Sequence, residues 1–220
     1  MRALWADKLE AVDLHRGQVL YESGASLAHV YFPTTAIVSL MYVLKSGASA
    51  EIAVVGQEGL VGIALFTGGR STPSRGVVQI SGRGYRLRPA FMEEAFRRAG
   101  PAMQLMLRYT GTLIGQMSQT AACNRHHSLE QQVCRRLLLG LDRVQDNELL
   151  LTQELIANML GVRRESVTET ARKLQRIGLI RYARGRIEVL NREGLERRTC
   201  ECYWVVKRAY DRLLPTTTAG

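Results

Sequence analysis

Residues 161–180 read GVRRESVTETARKLQRIGLI. The apolar side chains Val167, Ala171, Leu174 and Ile177 recur every three or four residues, the spacing of one helix face. The same helix opens on Arg163, Arg164 and Glu165, so both signs of charge meet at its first turn. Just upstream, LTQELIANMLG reads as a shorter helix capped by Thr152 and ended by Gly161. Just downstream, LIRYARGRIEVLN reads as two short strands around the turn ARGR. A helix over 152–160, a turn over 161–163, a helix over 164–177 and a small hairpin make a winged helix-turn-helix.

Charge supports this reading. The formal net charge is +10, and residues 163–186 hold eight basic and two acidic residues. A basic patch this dense is the electrostatic signature of a polyanion partner. A recognition helix enters the major groove by its N-terminal end, where an Arg can bond both acceptors of guanine and a Glu can accept from the cytosine amino group. A carboxylate among phosphates would otherwise only cost affinity, so Glu165 beside Arg164 points to base reading. Arg164, Glu165, Thr168 and Glu169 are the expected base-reading residues. Arg163, Arg172, Lys173 and Arg176, with Arg181, Arg184 and Arg186 on the wing, are placed to meet phosphates. The expected partner is double-stranded DNA.

At 220 residues, with 46% of them hydrophobic, the chain has room for two domains with real cores. From about residue 15 to 88 short β-rich runs alternate with turns: QVLYES, HVYFP, AIVSLMYVL, AEIAVVG, LVGIALF, GVVQIS and YRLRP. Many short strands at regular spacing suggest an antiparallel barrel or sandwich. PAFMEEAFRRAG is then a short helix, and a longer one runs over about 102–124. Along it Met103, Met106, Thr110, Leu113, Met117 and Thr120 form one stripe, with Leu107, Ile114 and Ala121 beside it. Two stripes need two partners, the barrel and a second copy of the same helix. The first stripe is the expected dimer seam, and a homodimer the expected state. Ser128 and Gln131 form a capping box that opens the next helix. A last helix over about 192–214 turns Leu195, Tyr203, Val206 and Tyr210 toward a core. The fold class is α+β, with a sensor barrel over 1–101, a dimerisation helix and hinge over 102–127, and a winged helix-turn-helix domain over 128–220.

With the β-rich half, the long helix and LTQELIANMLGVRRESVTETARKLQRIGLIRYARGRIEVLNREGLE in view, the sequence resembles the catabolite-activator/fumarate-nitrate-regulator (CRP/FNR) superfamily of bacterial transcription factors. The resemblance covers about residues 15–200. It implies a jelly-roll sensor like that of cyclic-nucleotide-binding proteins, a dimerisation helix, a DNA-binding winged helix and RNA polymerase as a protein partner. The family's base-reading Arg and Glu match Arg164 and Glu165, while Glu169 stands where better-known members carry a base-contacting Arg. Cyclic-nucleotide binders of the family carry a Gly-Glu pair for the ribose, then an Arg followed by Ser or Thr for the phosphate. Alignment puts Gly62-Ile63 and Arg75-Gly76 there, so only Arg75 is retained of the polar contacts. An Ile cannot accept from a ribose hydroxyl, and burying that hydroxyl unpaired would cost about 1–3 kcal/mol. The effector is therefore expected not to be cyclic AMP. A cyclic-nucleotide-responsive regulator with a divergent pocket is the alternative.

No cofactor or metal is expected. The four cysteines, Cys123, Cys134, Cys200 and Cys202, all lie in the second half, which removes N-terminal cluster ligation. Haem would need His15 or His29 as an axial ligand, and lone histidines in a barrel read as ordinary residues. Cys123 with His126 and His127 has the spacing of a helical metal face, but a polar hinge explains CNRHHS as well. Cys200 and Cys202 on a continuous helix point about 200° apart and cannot hold one ion unless the helix is broken there. An enzyme using Cys123 with a nearby histidine is a remote alternative, since no phosphate loop, carboxylate pair or hydrolase elbow accompanies it. No apolar run reads as a signal peptide or a membrane span, so a soluble cytoplasmic protein is expected.

Overall fold

The computed structural model describes residues 5–213. Its N-terminal half is a double-layered antiparallel barrel of β1 (Glu10–Leu14), β2 (Val19–Tyr21), β3 (Val30–Pro33), β4 (Ile37–Val43), β5 (Ser49–Val55), β6 (Arg75–Ile80) and β7 (Gly82–Leu87). One sheet runs β1-β7-β3 and the other β2-β6-β4-β5. Leu14, Val30, Ile37, Val38, Leu40, Val55, Val78 and Leu87 fill the core. β4 buries four successive residues, Ile37 to Leu40, and β5 buries Ala53, Val54 and Val55 in a row. Alternation fails there because both faces of this sheet edge are covered, the inner by the barrel and the outer by helices of the C-terminal half.

Two of the sequence expectations fail in the barrel. Strand β1 lies upstream of the first expected strand. LVGIALF is not a strand: Val61 makes one bridge to Tyr31, and Ile63–Leu65 then form a single 3-10 turn. A short apolar run is ambiguous by periodicity alone, and this one packs its Leu60, Val61 and Leu65 into the core without joining a sheet.

Helix α1 (Pro89–Arg97) leads into α2 (Pro101–His126), 26 residues long and so about 39 Å at 1.5 Å per residue. Met106, Leu113 and Thr120 of its first stripe are buried within the chain, and Met103, Thr110 and Met117 are half-buried. The expected dimer seam is thus used up by the chain's own packing, which also draws in Tyr109, Thr112 and Gln116. The neighbouring stripe is the exposed one, with Leu107 at 49% and Ile114 at 54% exposure.

Helix α3 (Leu129–Leu141) starts on the expected Ser128–Gln131 capping box. Then come β8 (Glu148–Leu149), α4 (Gln153–Leu160), α5 (Arg164–Arg176), β9 (Ile180–Ala183), β10 (Arg186–Val189), α6 (Arg192–Arg198) and α7 (Glu201–Leu213). β8 was not legible as a strand, yet it pairs with β10 and makes the wing a three-stranded sheet, β8-β10-β9. The expected last helix is two helices. Thr199 takes an extended conformation (φ −72°, ψ 168°) and ends α6, and Glu201 places an acid in the first turn of α7. Leu195, Tyr203, Val206 and Tyr210 are buried as expected, while the expected end of this helix, Leu214, lies outside the described residues.

The two halves meet through buried charge. Arg136 of α3 pairs with Glu51 of β5, Nε to Oε1 2.8 Å, with both side chains under 10% exposed. Ser39 donates to the second Glu51 oxygen at 2.5 Å, and Arg136 also donates to Gln79. Burial pulls the Arg136 guanidinium below its usual range, and the Glu51 carboxylate pushes back. Beside it Arg143 pairs with Glu58 at 2.8 Å and lies over the Tyr210 ring. Breaking a buried pair leaves a charge uncompensated, so Arg136→Met should cost about 3–5 kcal/mol. Arg136→Met with Glu51→Leu should recover most of that loss, because a buried pair is worth about as much as a well-packed apolar one. Chemical denaturation followed by circular dichroism measures both. A double variant no more stable than the single would contradict this account of the joint.

Candidate nucleic-acid interface

The helix-turn-helix is built as its sequence requires. Thr152 accepts from the Leu155 backbone N–H at 3.1 Å and so caps α4. Gly161 ends α4 with φ +66°, a left-handed conformation that costs a glycine nothing. The turn delivers Arg163 as the residue before α5, which buries Val167, Ala171 and Leu174 against its domain. Arg163, Arg164, Glu165, Glu169, Arg172 and Arg176 are all exposed on the opposite side. The wing turn is Arg184-Gly185, both at positive φ (49° and 77°), the two-residue hairpin geometry that matches strand twist.

Not every expected contact residue stands free. Thr168 is half-buried, with its hydroxyl 2.6 Å from Gln153 Oε1 and 3.0 Å from the Arg164 carbonyl. Its single proton is thus held between α4 and α5. Lys173 pairs with Glu130 at 2.5 Å, and Arg198 reaches the same carboxylate at 2.7 Å. The Lys173 ammonium foremost, with Arg198 behind it, holds the Glu130 carboxyl below its usual range. Arg181 pairs with Glu188 and Arg186 with Glu148. Arg163, Arg172, Arg176 and Arg184 have no ion-pair partner among the described residues. Arg164 lies 4.0 Å from Glu154, with both side chains more than 60% exposed, an arrangement worth little in water. The acids that occupy Lys173 and Arg186 could not be foreseen, because Glu130 and Glu148 come from distant elements with no periodic signal of their own.

In the barrel, Gly62 and Ile63 open the 3-10 turn and Arg75 and Gly76 lie on β6. Tyr21 covers Gly76 so closely that a Cβ there would sit 2.6 Å from the Tyr21 ring. The Tyr21 hydroxyl lies 3.4 Å from Ser74, and Arg75 pairs with Glu22 at 3.2 Å. The space beside the retained Arg75 is thus filled by an aromatic ring, and its charge has a partner. A cleft of 1070 Å³ opens elsewhere, between the β1-β7-β3 sheet and the start of α2, with Trp5, Phe32, Arg83, Tyr85 and Arg108 on its walls. It contains none of these four residues.

Residues 131–198 match the family model of the Crp-like helix-turn-helix domain. The chain superposes on FixK2 from Bradyrhizobium japonicum with a TM-score of 0.73 at 16% identity, covering 87% of this chain and 98% of that one. A CRP-family transcriptional regulator from Thermus thermophilus gives 0.68 at 22% identity, covering 85% and 95%. The c-di-GMP responsive global regulator CLP from Xanthomonas campestris gives 0.65 at 14% identity, covering 85% and 96%. None of the curated proteins matches the sequence. The likeness to these structures is one of fold, and the matched domain adds the DNA-binding module. Residues 131–198 are thus a Crp-like helix-turn-helix domain, and the chain shares the fold of these regulators.

The two contact classes on α5 should respond differently to mutation, and Glu165→Ala separates them most sharply. Simple electrostatics predicts tighter binding to any DNA once a carboxylate is removed from among phosphates. Base reading predicts that random-DNA affinity rises while operator affinity falls by about 1–3 kcal/mol. Affinities for operator and random DNA at matched salt decide between them. If both rise together, Glu165 reads no base.

Proposed function

We propose that the protein acts as a homodimer whose two α5 helices read the two half-sites of an operator in successive major grooves. The observation that carries this is the pair of faces on α2. One face is buried within the chain, and the other exposes Leu107, Gly111, Ile114, Ser118 and Ala121 at spacings of four and three. That is the heptad spacing of a coiled-coil seam. Beyond Gly111 and Gly115 nothing approaches within 4 Å, so a second backbone has room to come close. An apolar stripe left in water on an otherwise well-packed helix favours a partner of the same kind.

Arg164 and Glu165 then read bases, Glu169 lies on the same exposed side, and Arg163, Arg172, Arg176 and Arg184 meet phosphates. Lys173 and Arg186 brace the domain through their carboxylates. The barrel is the sensor, joined to α3 and α4 at the Arg136–Glu51 contact, so a change in β4–β5 shifts the orientation of the helix-turn-helix. Its effector is not cyclic AMP, a reading supported by Ile63 and by the Tyr21 ring over Gly76. RNA polymerase is the protein partner. The reading of Cys123 as a nucleophile loses support, because Cys123 is fully buried and out of a substrate's reach. No helix among the described residues is long and apolar enough to cross a membrane, and the proposed site of action is the cytoplasm.

Leu107→Glu with Ile114→Glu should give a folded monomer, since both side chains face solvent within one chain. Losing the second recognition helix should weaken operator binding about 100-fold or more, the usual gain from linking two sites. Sedimentation at micromolar concentration and operator affinity read the two effects. A wild-type monomer, or a variant that remains dimeric, would overturn the seam.

A further inference from the structure

Four residues that the DNA-binding reading leaves unused converge on one point. Cys123 lies in the last turn of α2, His127 follows that helix, and Cys200 and Cys202 flank the start of α7. Their potential ligand atoms all lie within 4.8 Å of one another. Cys123 Sγ is 3.5 Å from Cys200 Sγ, and Cys202 Sγ is 3.4 Å from His127 Nδ1. The three thiols are buried together, in a cluster separate from the main hydrophobic core. The break between α6 and α7 makes this possible, because on an unbroken helix Cys200 and Cys202 would diverge.

We propose that Cys123, His127, Cys200 and Cys202 form a binding site for one tetrahedrally coordinated metal ion of the zinc class. Three thiolates and an imidazole are a structural zinc ligand set. With Zn–S near 2.3 Å and Zn–N near 2.0–2.1 Å, a tetrahedron has edges of about 3.8 Å between sulfurs and about 3.6 Å from sulfur to nitrogen. The two observed separations, 3.5 and 3.4 Å, need only a few tenths of an ångström of adjustment. An iron–sulfur cluster spreads its thiolates over several irons, and four ligand atoms this close leave room for a single ion. His126, the other histidine of the CNRHHS hinge, is exposed and stands outside the group.

The surroundings complete the site. Glu201 Oε1 lies 3.3 Å from His127 Nε2, so the imidazole can donate its proton there and keep the Nδ1 lone pair for the ion. This carboxylate–histidine–metal arrangement is the usual support of a ligating imidazole. Gln119 Nε2 donates to Cys202 Sγ at 3.0 Å. Gln132 donates to the His127 carbonyl at 2.9 Å and holds the end of α2 in place. Three thiolates around a divalent ion leave one negative charge, and buried Arg135, which reaches Thr120 one turn before Cys123, supplies a positive one. The half-buried edge of His127 beside exposed Glu201 is the way in. An ion held here ties the end of the dimerisation helix to the junction between the last two helices of the DNA-binding domain. The site stands on its geometry alone; only this mechanical consequence rests on the regulator reading.

The test uses the full-length chain, reduced and stripped of metal under anaerobic conditions. Titration with Co²⁺ should saturate at one ion per chain, with the intense visible absorption of a tetrahedral thiolate site. Zn²⁺ should displace it and raise the melting temperature of the metal-free protein. Cys200→Ser and Cys202→Ser should each weaken Co²⁺ binding at least 100-fold, Glu201→Gln about tenfold, and Cys134→Ala, a buried thiol outside the group, not at all. Circular dichroism checks that each variant is folded, and the wild-type stoichiometry depends on no variant. The proposal fails if the reduced wild-type chain takes up no stoichiometric metal, if the Co²⁺ spectrum is octahedral, or if folded Cys200→Ser and Cys202→Ser bind as wild type. It fails equally if a Cys123–Cys200 disulfide is the only chemistry these thiols show.

Discussion

The guanidinium of Arg136 lies inside the joint between the barrel and the DNA-binding half, held by Glu51 and Gln79, both of which accept from Ser39. A charge in that position has a steep orientation requirement. Out of water, a guanidinium is tolerated only while its carboxylate and amide partners stay within hydrogen-bond reach, and a small rotation leaves it unsatisfied. The pair adds little net stability over an apolar contact, but it allows few relative orientations of α3 on β4–β5. Gln79 extends the contact to α4, lying 3.8 Å from the Met159 sulfur. The first helix of the helix-turn-helix is therefore registered against the barrel sheet, and the position of α5 follows from that of α4.

Helix α2 carries the second constraint. Gln116 donates to the Val54 carbonyl of the barrel at 3.2 Å and accepts from the Tyr210 hydroxyl of α7 at 2.8 Å. One residue in the middle of the long helix thus touches both the barrel and the last helix of the described chain. Its outer stripe is left exposed, the face proposed for a second copy. Barrel, long helix and helix-turn-helix are joined through a few buried polar groups, and such a joint shifts between discrete arrangements more readily than it bends.

The helix-turn-helix was legible because each of its signals is local. The apolar period of α5, the Thr152 cap, Gly161 and the Arg184-Gly185 turn specify their own conformations, and the structure shows each where the sequence put it. The stripe on α2 was legible as two faces, but not as which face belonged to the chain itself. That choice depends on the barrel and on α7, far away in sequence. The same limit hid Glu130 and Glu148 as partners of Lys173 and Arg186. The break at Thr199 mattered most: a continuous apolar period across 192–210 conceals an extended residue, and with it the convergence of Cys200 and Cys202 on Cys123 and His127. Long-range convergence leaves no periodic trace in a single sequence.

Everything proposed for α5 and the outer face of α2 reduces to one claim, that two linked copies of this helix read a defined DNA sequence. The direct measurement is selection of bound duplexes from a random pool by the purified chain, followed by sequencing. The account predicts enrichment of an inverted repeat whose half-sites are centred about 10–10.5 base pairs apart, or a multiple of that. Recovery of unenriched DNA, or of a motif with no two-fold symmetry, would contradict it.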